Sequence, residues 1–234
     1  MCYACAAAFR AWIDFDWAGA EADFARALAL APASSDTRRL RALRCLVPTN
    51  RLEAAEEEMN RAIELDPLSP LLHCQLGMLL NWKREFGRAL STVEAALALR
   101  PDYALAHWYR GAAMLLQGRP AEGLPFLQRA MEKLGSNPGM MGSIGLAFGY
   151  LGRQAEARAI LAQLEAAARE GYVTPISRAW VYLGLGEFDA AFEWLRRAVE
   201  VRDPHILALP CKPIYDPLRH DPRFTALLRE MRLE

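Results

Sequence analysis

The chain has 234 residues and 26.2 kDa, with 53% hydrophobic and 24% charged residues, a balance that excludes a disordered tail and a disulfide-stapled miniprotein. Its 28 Lys and Arg equal its 28 Asp and Glu, so there is no basic excess for a phosphate backbone, and nucleic acid is not an expected partner. No apolar run reaches the ~18 residues of a membrane span, and the opening stretch lacks the basic start of a signal peptide. Five cysteines, an odd number, point to a reducing, cytoplasmic setting.

In chain order, the predicted elements are helix pairs. The first unit, about 1–35, ends its second helix with Ala20, Phe24 and Ala27 before Pro32. The second, 36–69, repeats this as Ala55, Met59 and Ala62 before Asp66-Pro67. In the third, 70–103, Leu72, Leu76, Leu79 and Leu80 form a helical stripe, followed by Phe86, Leu90, Val93 and Leu97. The fourth, 104–137, the fifth, 138–171, and the sixth, 172–204, keep the phase: Gly77, Gly111 and Gly145 recur every 34 residues, as do Ala55, Ala89, Gly123, Ala157 and Ala191. Proline stops one helix and suits the first turn of the next. The small residues are expected where paired helices touch. A single pair cannot bury its apolar face, whereas a stack can. The remaining 205–234 read as a capping segment, with Asp216-Pro217 and Asp221-Pro222 as helix starts, the second running to about Met231.

Leu76-Gly77, Leu80, Ala89, Ala96 and Pro101, then Gly111, Met114, Gly118-Arg119 and Ala130, then Tyr182, Leu185-Gly186-Glu187-Phe188, Ala191, Leu195 and Ala198 resemble the tetratricopeptide repeat family. The resemblance implies an all-α fold, a right-handed solenoid of six hairpins with a C-terminal helical cap. Leu43 departs from it, standing where glycine is usual, and the fifth unit lacks its closing proline. The segment 205–234 and Asp14-Phe15-Asp16-Trp17 also resemble repeat arrays in multidomain bacterial signalling and transcription-regulatory proteins.

Catalytic and metal chemistry finds little footing. Cys2 and Cys5 form a Cys-x-x-Cys with no second ligand pair. His73 and His107 share a repeat position but are expected ~10 Å apart, a helix packing distance, so each reads as packing. Met141-Gly142-Ser143-Ile144-Gly145 lacks the strand and the first glycine of a nucleophile elbow, and the Gly139 to Gly152 run lacks a phosphate-loop ending. Glu56-Glu57-Glu58 reads as a solvated face. No cofactor, metal or enzyme activity is expected. Gly142, Gly145 and Gly149 each cost ~1 kcal/mol against Ala in a helix, which makes the fifth unit the softest by expectation.

In the resembled family the first helix of each unit lines a concave groove. Carried over, the partner-binding residues are Phe9, Trp12, Arg44, Met78, Asn81, Trp82, Trp108, Leu146, Tyr150 and Trp180. The clamp for a terminal carboxylate is missing, because its Lys position holds Cys5, Leu40, Cys74, Trp108, Gly142 and Ile176. An apolar, aromatic groove fits a peptide or partner-protein segment, with the glycines letting its backbone approach. The implied function is a non-catalytic protein-interaction scaffold in bacterial regulation. The alternatives are self-association into a homodimer and, with less support from an apolar inner face, a helical RNA-binding array.

Overall fold

The computed structural model describes residues 3–135 and 137–233. Cys2 of the Cys-x-x-Cys lies outside them, while Cys5 is exposed. Among the described residues there are helices and turns and no strand. They fall into two compact units: Met1–Pro101 with Leu207–Pro213 and Leu228–Glu234, and Asp102–Ile206 with Ile214–Leu227.

The first unit opens with α1 (Tyr3–Phe9), which widens into a π-helical turn at Arg10–Asp14, and α2 (Trp17–Leu30). Then come α3 (Ser35–Arg41), a second π-helical turn at Ala42–Leu46, and α4 (Leu52–Leu65). α5 (Pro70–Trp82) and α6 (Phe86–Leu99) complete it. Consecutive helices pack in pairs, α1 on α2, α3 on α4 and α5 on α6. Asp16 caps α2 by accepting from the Gly19 amide at 2.9 Å, and Ser34 caps α3 through Thr37 at 3.2 Å, satisfying amides that the first helical turn leaves open. The small-residue reading holds at the α5–α6 contact. A methyl group on Gly77 would come within 3.0 Å of the Ala89 carbonyl oxygen. Leu43 stands in the matching place of the earlier pair, where the helix has widened to π turns.

One expectation is overturned here. Only Glu57 of the acidic run behaves as a solvated side chain. Glu58 is buried and accepts from Arg38 and Arg41, both at 2.9 Å. Glu56 takes Lys83 at 2.5 Å and Arg88 at 2.6 Å. Glu21 joins Arg41 and Arg51. These carboxylates pair helices distant in sequence, which a helical pattern read alone cannot reveal.

The second unit holds α7 (Ala104–Leu116), α8 (Pro120–Leu134), α9 (Pro138–Tyr150), α10 (Gln154–Glu170), α11 (Pro175–Leu185) and α12 (Phe188–Glu200). Gly118, Gly152 and Gly186 carry φ of 72°, 71° and 75° in the turns between paired helices, the left-handed region where a side chain is strained. In the first unit the equivalent slots, 34 residues earlier each time, are filled by Asn50 and Arg84, with φ of 56° and 64°.

α9 is enclosed on all sides by its neighbours. Every residue from Gly139 to Phe148 is buried. A methyl on Gly142 would sit 2.7 Å from Ser177 Cα, one on Gly184 would sit 2.7 Å from the Leu146 carbonyl oxygen, and Gly149 meets the Gly184 backbone. The glycines therefore let α9 and α11 approach backbone to backbone. The packing gained there opposes the propensity cost of the glycines.

After α12 the tail forms 3₁₀ turns at Pro204–Ala208 and Pro213–Leu218 and then α13 (Pro222–Glu230). Asp221 opens α13 by accepting from the Arg223 amide at 2.9 Å, as read from the sequence. Asp216-Pro217 starts no helix of its own, because Pro217 sits inside a 3₁₀ turn.

Candidate partner-binding site

The ten residues expected to line a groove do not share one environment. In the first unit, Phe9 and Trp12 stack with ring centroids 6.0 Å apart, and the Arg44 guanidinium lies 6.0 Å from the Trp12 ring. Phe9 is 54% exposed, and Ile13 beside it is 40% exposed. This group follows from the π-helical turn that ends α1 and from the second π turn, which presents Arg44. Further along, Met78 and Trp82 are half-buried, and Asn81 is buried. Trp82 packs on a core that contains Leu46, Met59, Leu76, Leu79 and Leu80 and also the tail residues Ala208 and Cys211. Trp17 donates its indole N–H to the Met231 carbonyl at 2.9 Å.

In the second unit the chain supplies its own occupant. Trp180 is 2% exposed and donates through Nε1 to the Tyr215 hydroxyl at 2.8 Å. The His205 ring meets the Trp180 ring edge-on at 5.8 Å. Tyr215 is wholly buried, and Ile214 and Leu218 beside it are buried as well. Leu146 is 4% exposed, since it belongs to the α9–α11 contact. The expectation of Trp180, Leu146 and Asn81 as open groove walls is thus corrected: the chain's own residues cover them. The glycines of α9 face α11 instead of a guest backbone. Trp108 is half-buried and donates to Ser143 Oγ at 3.1 Å, while Tyr150 is 41% exposed. Burial pushes the Tyr150 phenol up, helped by the charge of Asp216.

A polar node fixes the tail within this unit. Burial alone would raise the Asp203 carboxyl, but hydrogen bonds from His205 and Thr174 outweigh burial and hold it below the usual carboxylate range. Its oxygens take His205 Nδ1 at 3.0 Å, the His205 amide at 3.0 Å, the Ile176 amide at 3.2 Å and the Thr174 hydroxyl. Sequence reasoning missed Asp203 and Tyr215, and the only signal available was the Asp-Pro punctuation of the tail.

No set of three metal-ligating side chains is gathered among the described residues, and no described helix is long and apolar enough to cross a membrane. Burial pushes the Cys45 and Cys74 thiols up to about 12. His73 Nε2 meets the carbonyl of Pro67 in the turn before its helix at 3.0 Å, and the His107 ring stacks on Phe126 within its hairpin at 6.4 Å.

Comparison with known proteins agrees with this architecture. Family models described as tetratricopeptide repeat match residues 83–138 and, separately, 40–67 and 176–205. No curated protein sequence matches. Among solved structures, pilF of Pseudomonas aeruginosa is similar at 14% identity and a TM-score of 0.58, covering 89% of this chain and 94% of that one. PilW, a type IV pilus biogenesis factor, is similar at 16% identity and a TM-score of 0.61, covering 94% of each. A tetratricopeptide repeat protein from Parabacteroides merdae reaches 0.64 at 14% identity, covering 92% of this chain and 78% of that one. At such identities the likeness is one of fold. The matched stretches and the paired helices together establish an all-α chain that carries tetratricopeptide repeats.

Proposed function

We propose that this chain is a non-catalytic protein-interaction scaffold of bacterial regulation that takes a polypeptide segment on the open cluster of Phe9, Trp12 and Arg44. Tetratricopeptide repeats are scaffolds for protein–protein contact, and the reading rests on one observation. Of the residues expected to meet a partner, this cluster keeps a stacked aromatic pair, an adjacent cation and a 54% exposed Phe9 together at the surface of its unit. Aromatic and arginine side chains are enriched among residues that dominate binding energy. Met78 and Trp82 of the same unit are half-buried and offer less open area. Substituting Phe9→Ala with Trp12→Ala is expected to abolish partner capture while leaving the helical circular dichroism unchanged. Capture unaltered by the pair removes the reading.

Self-association is the second reading, favoured by the exposure of Tyr3, Phe9 and Ile13 along one short helix and its π turn, at 38%, 54% and 40%. Concentration-dependent light scattering distinguishes it, because a homodimer raises the apparent mass with concentration whereas a scaffold awaiting another chain does not.

A further inference from the structure

Within the second unit a cavity of about 600 Å³ opens where the end of α10, the start of α11 and α12 meet. That size lies in the range of small-molecule sites, ~300–1,000 Å³. Its lining includes Arg178, Trp194, Tyr172, Val173, Arg197 and Val201.

Arg178 is the unusual member. It is 6% exposed, and its Nη2 donates to the Leu164 carbonyl at 3.0 Å. Its guanidinium carbon lies 4.5 Å from the Trp194 ring centroid. The Nε, also buried, has no acceptor among the described residues. Arginine has five donors in a fixed fork and no neutral form to retreat to. Burying that charge beside one carbonyl and an indole face, with no carboxylate in ion-pair reach among the described residues, leaves it poorly compensated. Burial accordingly holds the Arg178 guanidinium below its ordinary range, with the charge of Glu165 only partly offsetting this. The acid on the cavity wall does not help. Glu193 pairs with Arg196 at 3.1 Å, and Arg196 also pairs with Glu200. The exposed Arg197 adds a further cation.

We propose that this cavity binds a small organic carboxylate, whose charged head pairs with Arg178 and whose flat apolar body lies against Trp194 and Tyr172. The guanidinium fork matches a carboxylate in a bidentate pair. The indole ring lies 4.5 Å from the guanidinium carbon, beside the Nε donor that lacks an acceptor among the described residues. Tyr172, 72% exposed at the rim, and the apolar Val173 and Val201 complete a wall that a bare inorganic anion would leave unused.

The test is titration of the full chain with 3-phenylpropionate, its neutral amide 3-phenylpropanamide, and inorganic phosphate, followed by NMR of the tryptophan indole N–H signals. The carboxylate is expected to saturate and shift the Trp194 resonance, the amide to bind about tenfold more weakly or worse, and phosphate to give no saturable shift. Arg178→Gln should abolish the carboxylate's advantage over the amide. Where that variant loses its helical circular dichroism, Arg197→Gln and Tyr172→Ala, both at exposed positions, decide instead, each weakening the carboxylate by about twofold or more. Equal binding of acid and amide, a phosphate shift at the same site, or a folded wild-type chain that binds none of the three overturns the proposal.

Discussion

Trp180 Nε1 donates a 2.8 Å hydrogen bond to the hydroxyl of Tyr215, a residue with no exposed surface. An aromatic that the repeat pattern aims at a guest is thereby held by the chain's own tail, and the bond should be measurable in stability. Tyr215→Phe removes the hydroxyl and keeps the ring, and should cost about 1 kcal/mol. Tyr215→Ala removes the ring as well and should cost about 3–5 kcal/mol. Denaturant midpoints compare the two. Equal losses would mean the ring contributes little to packing.

The glycines make opposite predictions by position. Gly149→Ala should destabilise despite the ~1 kcal/mol that alanine gains in a free helix, because the added methyl meets the Gly184 backbone. Gly87→Ala, where a methyl meets nothing within 4 Å, should be neutral or stabilising by a few tenths of a kcal/mol. Hydrogen exchange belongs to the same claim. Amides of 138–150 should be as slow as those of 70–82, and fast exchange confined to 138–150 would restore the view of a soft fifth unit.

Asp203 ties stability to acid pH. Its folded carboxyl lies below the ordinary value, and unfolded aspartate titrates near ~3.9. A lowered folded pKa stabilises above the unfolded value and loses that contribution as pH falls through the folded one. Asp203→Asn should therefore cost about 2 kcal/mol near neutrality and show a flatter loss of stability below about pH 4. Urea midpoints from pH 7 to pH 2 check this. Parallel curves for the two proteins would contradict it.

Thiol reactivity should divide by burial. Cys45 and Cys74, with thiols pushed up to about 12, hold almost no thiolate near neutrality. Iodoacetamide should label the exposed Cys5 in the native chain and reach Cys45 and Cys74 only after denaturation, read by peptide mass spectrometry. Native labelling at Cys74 would show that α5 opens readily.

Much of the fold was legible because it repeats. The 34-residue spacing of Gly77, Gly111 and Gly145, and of Ala89 and Gly123, records where helices approach closely. Close packing favours small residues there, so the signal survives in one sequence, and Leu43 takes such a place only where the helix widens to a π turn. Asn50 and Arg84 escaped notice because they hold left-handed turn slots that later repeats give to glycine. Glu58 looks solvated in the sequence because its partners, Arg38 and Arg41, are on a different helix. The site was less legible still. The repeat register placed Phe9, Trp12 and Trp180 on equivalent faces, but only tertiary contacts with Tyr215 and His205 tell the covered aromatic from the open ones. Such contacts carry no periodic trace.

The open cluster of the first unit is proposed to receive another polypeptide. Its most direct measurement is photo-crosslinking with benzoylphenylalanine placed at Phe9, with a control placed at the exposed Glu64, in the native cell background. A discrete adduct with a different protein is expected from position 9, absent at position 64 and competed away by excess unlabelled wild-type chain but not by the Trp12→Ala variant. No adduct from position 9, or adducts between copies of this chain alone, would contradict it.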